Sequence, residues 1–560
     1  MDKYLQDAYS ILRIRNDDFT LAYLFLQKLS ELYDDNTNNL LYDNDNKQFY
    51  FWEGTHWNKI TKEILKGKIT NVLNAIVFEH PKPKDIGQTL ENCNKSLEEI
   101  KEHLKDIEDK KERKLFEDEI IKLTKAKEQL EKGEEATDYK SYNIFIYEKV
   151  QKKIFTLKSF ISQIRNVNNI VSRLETISSI AVKADIFDGD VTDTKINLLN
   201  GTFDLEKNSF EEHNKNDYFT YCIKREYVQG AKSDIWQKYI DSLWADKKHE
   251  PVRKYIQAIL GYCISGETSL KQYFNFYSKH PHSGKSTLVD IIQDLLGLDV
   301  MNPVSDNFFV EGNFSKAETI YNSKKRILVA SEVSSKRNLA ESFVNKLTGG
   351  DMVGDRILFT NIQNTTKPKS KLILHGNYLP SIDADNIATW TRVRVIPFPA
   401  QFTVVAGFKK QFVPEYSGII NWLIEGYQMY KNGALNEANI PEIIRKNVES
   451  YRKDNDSLSD WIEDCVEYND DYGCKVRDAY ESYKHYFTEG GLYDVTITYE
   501  EFKRKIEKKF GKATPKRVVN YQGVTRVVKG FRINPNKKDV NNIDEILSQV
   551  EPNKYEDIII

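Results

Sequence analysis

The chain has 560 residues, 40% of them hydrophobic and 12% aromatic, enough for several cores spread over about three or four domains. A formal net charge of −3 excludes a global field that gathers nucleic acid, so any such site must be a local basic surface. Five scattered cysteines without a CxxC pair argue against a zinc ribbon or a disulfide framework, and no apolar run is long enough to span a membrane. The first residues carry no signal-peptide core, so a reducing cytoplasm is the expected compartment. Abundant Lys, Asn, Ile and Tyr fit an AT-rich genome.

Residues 1–230 read as a mixed, largely helical N-terminal domain. Leu40–Tyr42 and Gln48–Trp52, separated by a polar stretch, predict a hairpin. Asp43 and Asp45 lie in its turn and are expected to serve the turn, not a metal. Between residues 84 and 140, Leu97, Ile100, Leu104 and Ile107 keep a three-four spacing, and Phe116, Ile120, Leu123 and Leu130 resume it. The break at Asp109–Arg113 predicts two amphipathic helices folded as an antiparallel hairpin, a spacer with a solvated face. Asp188, Asp190 and Asp193 resemble spaced polymerase acids, but no second acidic strand supports that chemistry. They precede Asn197–Leu205, which predicts strand, Asn-Gly turn, strand.

Residues 231–440 hold the motifs that carry chemistry. Helical segments from Trp236 to Trp244 and from Val252 to Gly261 lead into the aromatic run Tyr273–Tyr277, a buried strand. Next come Lys279-His280-Pro281-His282-Ser283-Gly284-Lys285-Ser286-Thr287 and an apolar helical face closed by Gly297. Gly-Lys-Ser-Thr after a strand and before a helix is the end of a phosphate-binding loop. Its backbone N–H groups face phosphates, Lys285 reaches the β- and γ-phosphates, and the Ser286 hydroxyl holds Mg²⁺. Lys279 stands where the pattern has glycine, and would cost about 1 kcal/mol there if its φ is positive.

A second apolar strand, in the stretch Lys324–Glu332, ends in Ser331-Glu332, placing an acid beside Mg²⁺ and the attacking water. A third, Lys371–Leu374, leads to Asn377, positioned to orient water or sense the γ-phosphate. Arg392 and Arg394 come after it as candidates for an arginine supplied across a subunit boundary. Between these motifs Arg356, Lys367 and Lys369 are expected to meet DNA phosphate.

Residues 441–535 read as a separate unit. One helix carries Trp461, Ile462, Val466 and Tyr468, and a second carries Ala479, Tyr480, Tyr483 and Tyr486. A third, around Phe502, Ile506 and Phe510, bears Lys503, Arg504 and Lys508. Strands with Arg517 and Arg526 come next. Three helices and a β-ribbon suggest a winged helix, its third helix in the major groove and its wing on the backbone. The tail, 536–560, is acidic and polar and is expected to be flexible.

From about Asn197 to Phe402 the chain resembles superfamily 3 helicases, specifically the helicase module of phage, plasmid and poxvirus primase-helicases. The resemblance rests on Leu199–Leu205, Leu260-Gly261-Tyr262 (a turn in this reading), Gly284–Thr287, Ser331-Glu332, Lys346–Asp351, Asn377–Pro380 and Arg392 with Ile396-Pro397-Phe398. It implies a multidomain α/β and α protein with an AAA+-like P-loop core, a homo-hexameric ring, and ATP-driven translocation on single-stranded and duplex DNA. It also implies an ATP site formed by Lys285, Ser286, Glu332, Asn377 and a neighbour's Arg392 or Arg394. The expected setting is replication of a low-GC bacterial mobile element, alongside that element's other replication proteins and without a membrane role. A replication initiator that uses slow hydrolysis as an assembly switch, without strand separation, fits the same motifs.

Overall fold

The computed structural model describes residues 2–32, 38–78, 90–107, 109–134, 136–310, 316–331, 338–356, 363–489, 497–517 and 524–534. The chain divides into two compact units: Met1–Gly189 with His213–Cys222, and Asp190–Glu212 with Ile223–Ile560. The tail from 536 onward lies outside the described residues.

The first unit runs α1 (Asp2–Arg13), α2 (Asp18–Leu32), β1 (Leu40–Asp43), β2 (Gln48–Trp52), β3 (Trp57–Ile60), α3 (Lys62–Phe78), α4 (Leu90–Lys105), α5 (Lys110–Glu131), α6 (Thr137–Ile161), α7 (Ile164–Leu174) and β4 (Ala181–Val182). The expected hairpin is present, with Leu41 opposite Tyr50 and Asp43 opposite Gln48. Asp43 accepts the N–H groups of Asp45 and Asn46 at 2.9 and 3.1 Å, which makes it a turn cap. The α4–α5 pair is antiparallel: Cys93 Sγ donates to the Leu123 carbonyl, and the His103 and Phe116 rings lie 5.0 Å apart. The break falls where Asp109 caps α5 by accepting from the Lys111 and Glu112 N–H groups. The pair is more than a spacer, because Phe116 and Leu123 join Tyr142 and Ile146 of α6 in one core. Asp188, the first of the spaced acids, accepts the Thr220 N–H at 2.9 Å and its hydroxyl, a structural role.

The second unit begins with a small antiparallel meander, β5 (Lys195–Leu198), β6 (Gly201–Asp204) and β7 (Ser209–Glu211). Asn200 at its turn clasps the Tyr227 backbone, donating to the carbonyl and accepting the N–H, both at 2.9 Å. The predicted domain edge at residue 230 therefore moves: compactness breaks at Gly189, and the meander belongs to the second unit. Then come α8 (Asp234–Leu243), α9 (Glu250–Cys263), β8 (Tyr273–Tyr277), α10 (Lys285–Leu296), β9 (Met301–Pro303), α11 (Lys316–Ser323), β10 (Ile327–Ser331), α12 (Glu341–Gly349), β11 (Val353–Arg356), β12 (Gln363–Thr366), β13 (Lys371–Gly376), α13 (Ile387–Trp390), β14 (Val393–Pro397), α14 (Tyr416–Lys431) and α15 (Glu442–Asp454). Five strands form one sheet in the order β14-β8-β13-β10-β9, and every neighbouring pair is parallel. Their apolar runs are nearly unbroken, as in a sheet covered on both faces.

Leu260-Gly261-Tyr262 is not a turn. It lies inside α9, where a Cβ on Gly261 would sit 2.1 Å from the Tyr427 backbone nitrogen and 2.2 Å from the Gly426 carbonyl carbon. Glycine is required by a helix crossing with backbone against backbone, not by a change of direction.

The unit ends with α16 (Ser457–Cys465), β15 (Val466–Cys474), α17 (Val476–Glu489), α18 (Tyr499–Phe510), β16 (Thr514–Arg517) and β17 (Val524–Ile533). These make three helices and a three-stranded antiparallel sheet, order β15-β17-β16, with a core of its own around Trp461, Tyr483, Phe502 and Phe531. Val466 and Tyr468 lie on a strand, not on the first helix, because pairing with Ile533 and Phe531 overrides the helical spacing. The module starts near Ser457 and not at 441, since α15 places Tyr451 in the core of the parallel sheet. Among the described residues no helix is long and apolar enough to cross a membrane.

Candidate active site

Lys285 decides what this site can do. Its side chain is 6% exposed, and Nζ donates to Ser283 Oγ at 2.8 Å and to Asn377 Oδ1 at 3.0 Å. These groups meet because β8 and β13 are adjacent and parallel, with Gly376 opposite Tyr277, so both strands deliver their next residues to the same edge. That is the carboxyl edge of an open parallel sheet, where ligands bind in this architecture.

Lys279 does not carry the strain expected of it. The left-handed positions of the loop are His282 (φ 57°) and Gly284 (φ 86°), at its end and not at its start. The turn is made later in the loop, so the missing glycine costs nothing at Lys279. At Gly284 both φ and space demand glycine, because a Cβ would lie 2.4 Å from Leu243 Cδ2. Gly284 is the N-cap of α10, and no side chain caps the helix there, the situation in which an anion serves as the cap. Lys279, His280, Pro281 and His282 line the loop's exposed rim, Thr287 is half-buried, and Ser286 is exposed at the first turn, within reach of a metal bound to phosphate. Among the described residues no group of three or more His, Cys, Asp or Glu side chains is arranged to hold a metal. Mg²⁺ usually keeps several waters and is held by one or two carboxylates and the substrate's phosphates, and the protein group here that would join such an ion is the exposed Ser286 hydroxyl.

Three groups not singled out in the sequence complete the site. Tyr239 of α8, almost fully buried, donates its hydroxyl to the Gly284 carbonyl at 2.8 Å and fixes the loop from outside the sheet. His375 stands near Lys285; burial chiefly pushes its pKa below the ordinary value, opposed by the Asp290 charge and aided by Lys285, which favours its neutral form. Glu341 of α12 accepts the Asp383 N–H at 2.8 Å, the Thr389 hydroxyl at 2.7 Å and the Asn386 amide, clamping the segment that leads to Arg392. Tyr239 and Glu341 look like ordinary helix residues in sequence. His375, two residues before Asn377, was the one visible signal.

Glu332 lies outside the described residues; the chain reaches it from Ser331, which sits opposite His375 in the sheet. The two arginines separate clearly. Arg392 is half-buried and donates to the Ala388 carbonyl at 2.7 Å, while its Nε has no hydrogen-bond partner. Arg394 is 5% exposed, ion-paired with Glu437, and donates to the Thr391 and Val393 carbonyls at 3.0 and 2.9 Å. Arg394 is thus engaged within its own chain, and of the two candidates for an arginine supplied across a subunit boundary Arg392 is the one left accessible.

The expected DNA contacts also divide. Lys367 is exposed. Lys369 is 8% exposed and ion-paired with Asp193, so it is not available to DNA. The side chains of Arg356 and Arg517 lie outside the described residues, although their backbones belong to β11 and β16. On α18, Lys503 is half-buried, whereas Arg504 and Lys508 are already engaged: Arg504 pairs with Asp383 at 3.4 Å and Lys508 with Asp385 at 3.5 Å. Arg526 is exposed on β17, its Nε donating to the Ala513 carbonyl.

Comparison with known proteins extends this picture. The family described as "D5 N terminal like" matches residues 27–245. The chain is 26% identical over 321 residues to "Putative helicase L207/L206" of Acanthamoeba polyphaga mimivirus, covering 52% of this chain and 33% of that protein. It is 23% identical over 241 residues to "Primase D5" of fowlpox virus (strain NVSL), covering 39% and 29%. These matches support a D5-like primase-helicase family. The chain spans about a third of the length of these viral relatives. Among solved structures, the apo C-terminal region of NrS-1 aligns with a TM-score of 0.42 and 9% identity, over 90% of this chain and 99% of that one.

Proposed function

We propose that this D5-like chain is an ATP-dependent DNA helicase of superfamily 3, working as a ring in the replication of a mobile genetic element. The observation that carries the reading is Lys285, held between Ser283 and Asn377 at the mouth of an uncapped helix N-terminus. In this reading the loop backbone and Lys285 bind the β- and γ-phosphates of ATP, Ser286 holds Mg²⁺, and Asn377 reports the γ-phosphate. When a nucleotide arrives, Lys285 exchanges the neutral Ser283 and Asn377 oxygens for phosphate oxygens, a stronger charge-assisted pairing. Glu332 activates the water, and Arg392 of a neighbouring subunit stabilises the charge of the transferring phosphoryl group. The order and pairing of the five parallel strands support an AAA+-like P-loop core.

The helix and strand order of residues 457–533 supports a winged helix that binds duplex DNA. Lys367 and the β11–β12 hairpin are assigned to the strand passing through the ring. The viral origin of the named relatives is in keeping with a replication role.

The test is unwinding of a forked DNA at fixed salt by the wild type and by Lys285→Ala. Unwinding by the wild type alone is expected. DNA-stimulated hydrolysis without unwinding would instead favour an initiator that uses ATP as a switch. No hydrolysis by either protein would overturn the motor assignment.

A further inference from the structure

The basic helix α18 faces the chain's own acids. Lys505 is 9% exposed and its Nζ lies 2.9 Å from Asp383 Oδ1. Arg504 lies 3.4 Å from the other oxygen of Asp383, and Lys508 lies 3.5 Å from Asp385. Arg504 and Lys508, one turn apart, share a helix face, and that face is the one turned to the acids. Lys505 is the buried contact of that face, while the side chains of Arg504 and Lys508 stay 67% and 68% exposed, so the dock holds its outer cations loosely.

The acidic corner is rigidly built. Glu341 holds the Asp383 N–H, and Trp390 Nε1 donates to the Asp383 carbonyl at 2.9 Å. The Asp383 carboxylate itself caps the Asp385 N–H at 3.1 Å. The corner sits in sequence between Asn377 and Arg392, on the segment that Glu341 clamps through Thr389.

We propose that Asp383 and Asp385 form an internal dock for α18, which DNA phosphate displaces. The two carboxylates stand where phosphates would, and occupy the same cations. This inference rests on the reading of residues 457–533 as a DNA-binding module. A polar cleft of about 330 Å³ opens between corner and helix, lined by the two acids, Asn386 and the three cations. Ion pairs beside such a cleft are individually weak and salt-screened. A duplex presents many phosphates and releases counterions, so it wins the exchange once it is close. The closed state holds the module against the ATPase core when no DNA is present.

The experiment uses the full chain with Asp383→Asn and Asp385→Asn together; asparagine keeps an acceptor for the Asp385 N–H. A fluorescent duplex is titrated at one fixed, low salt concentration, and amide exchange of α18 is followed without DNA. The double variant is expected to bind duplex roughly tenfold more tightly and to exchange faster in α18. Unchanged exchange in α18 overturns the dock. Faster exchange with equal duplex affinity overturns the competition with DNA. Faster exchange with no duplex binding by either protein overturns the DNA-binding reading, and the competition with it. A charge swap guards against a folding artefact: Asp385→Lys should open the dock, and adding Lys508→Asp should close it again. Failure of the swap to restore wild-type exchange also counts against the dock.

Discussion

Replacing Arg394 and Arg392 separately by alanine tests whether the site has been divided correctly. Arg394→Ala removes two hydrogen bonds from a charged donor and the packing of a nearly buried stem. It does not strand a buried charge, because the partner Glu437 is 75% exposed and returns to water. The large penalty for breaking a buried ion pair therefore does not apply. Two such bonds plus local packing give a loss of about 2 kcal/mol. For a unit of this size that is roughly 3 °C in Tm. Arg392→Ala removes one bond from a half-buried side chain and should cost about 0.5 kcal/mol. The order reverses for catalysis: Arg392→Ala should lose hydrolysis by about 10³-fold, and Arg394→Ala should stay within about threefold at a temperature where it is folded. The assay pairs thermal melting with phosphate release. Mixing Arg392→Ala with Lys285→Ala subunits should restore part of the activity if the arginine acts across a boundary. A stable but inactive Arg394→Ala, beside an active Arg392→Ala, would refute the assignment.

Asn377→Ala removes one hydrogen-bond partner of Lys285 and should keep ATP affinity while lowering kcat by about 10²-fold, read from steady-state and equilibrium-binding measurements. Gly261→Ala drives a Cβ into the backbone of Gly426 and Tyr427, and should cost about 3 kcal/mol in urea unfolding or prevent folding. His103, packed 5.4 Å from Tyr9 and 5.0 Å from Phe116, has its pKa pushed down to about 4 by burial and then by Arg13. Its neutral form is favoured by folding, so its contribution is complete above about pH 6.5 and is lost as pH falls towards 4. The loss approaches roughly 3 kcal/mol, and His103→Phe should remove most of that pH dependence from the unfolding curve. Lys369→Gln should leave single-strand binding unchanged but lower stability, because its charge is spent on Asp193; weaker binding without destabilisation would restore it to the DNA surface.

Local signals in this chain were readable where one segment determines its own geometry. The aromatic run 273–277, the Gly-Lys-Ser-Thr and the apolar face of α10 fold as read, because strand, loop and helix N-terminus each arise from residues within a turn of one another. The hairpin at Leu40 and the antiparallel α4–α5 pair were legible for the same reason. Misreadings arose where distant residues decide. Lys369, in a Lys-Pro-Lys stretch that looks solvated, is claimed by an aspartate from the start of the same unit. Arg504 and Lys508 look like free cations until the fold brings Asp383 and Asp385 to them. Gly261 looks like punctuation because no pattern within α9 announces a second glycine, Gly426, on the helix that crosses it. The strain assigned to Lys279 assumed that the loop turns at its usual place, whereas His282 and Gly284 take the left-handed positions.

The return of residues 213–222 to the first unit has a practical consequence for dissection. The polypeptide passes from one unit to the other three times, after residues 189, 212 and 222. No single cleavage can yield two whole units. A fragment ending at 189 loses Phe219, whose carbonyl accepts the Trp57 N–H at 2.7 Å, and Lys215, whose carbonyl accepts Trp57 Nε1 at 2.8 Å. Trp57, only 2% exposed in the whole unit, would then lose the protein acceptors of both its backbone and its indole N–H. Truncation series designed on linear boundaries will report instability that belongs to the cut and not to the domain. A fragment of the second unit needs residues 213–222 replaced by a short linker, and a fragment of the first needs them grafted back.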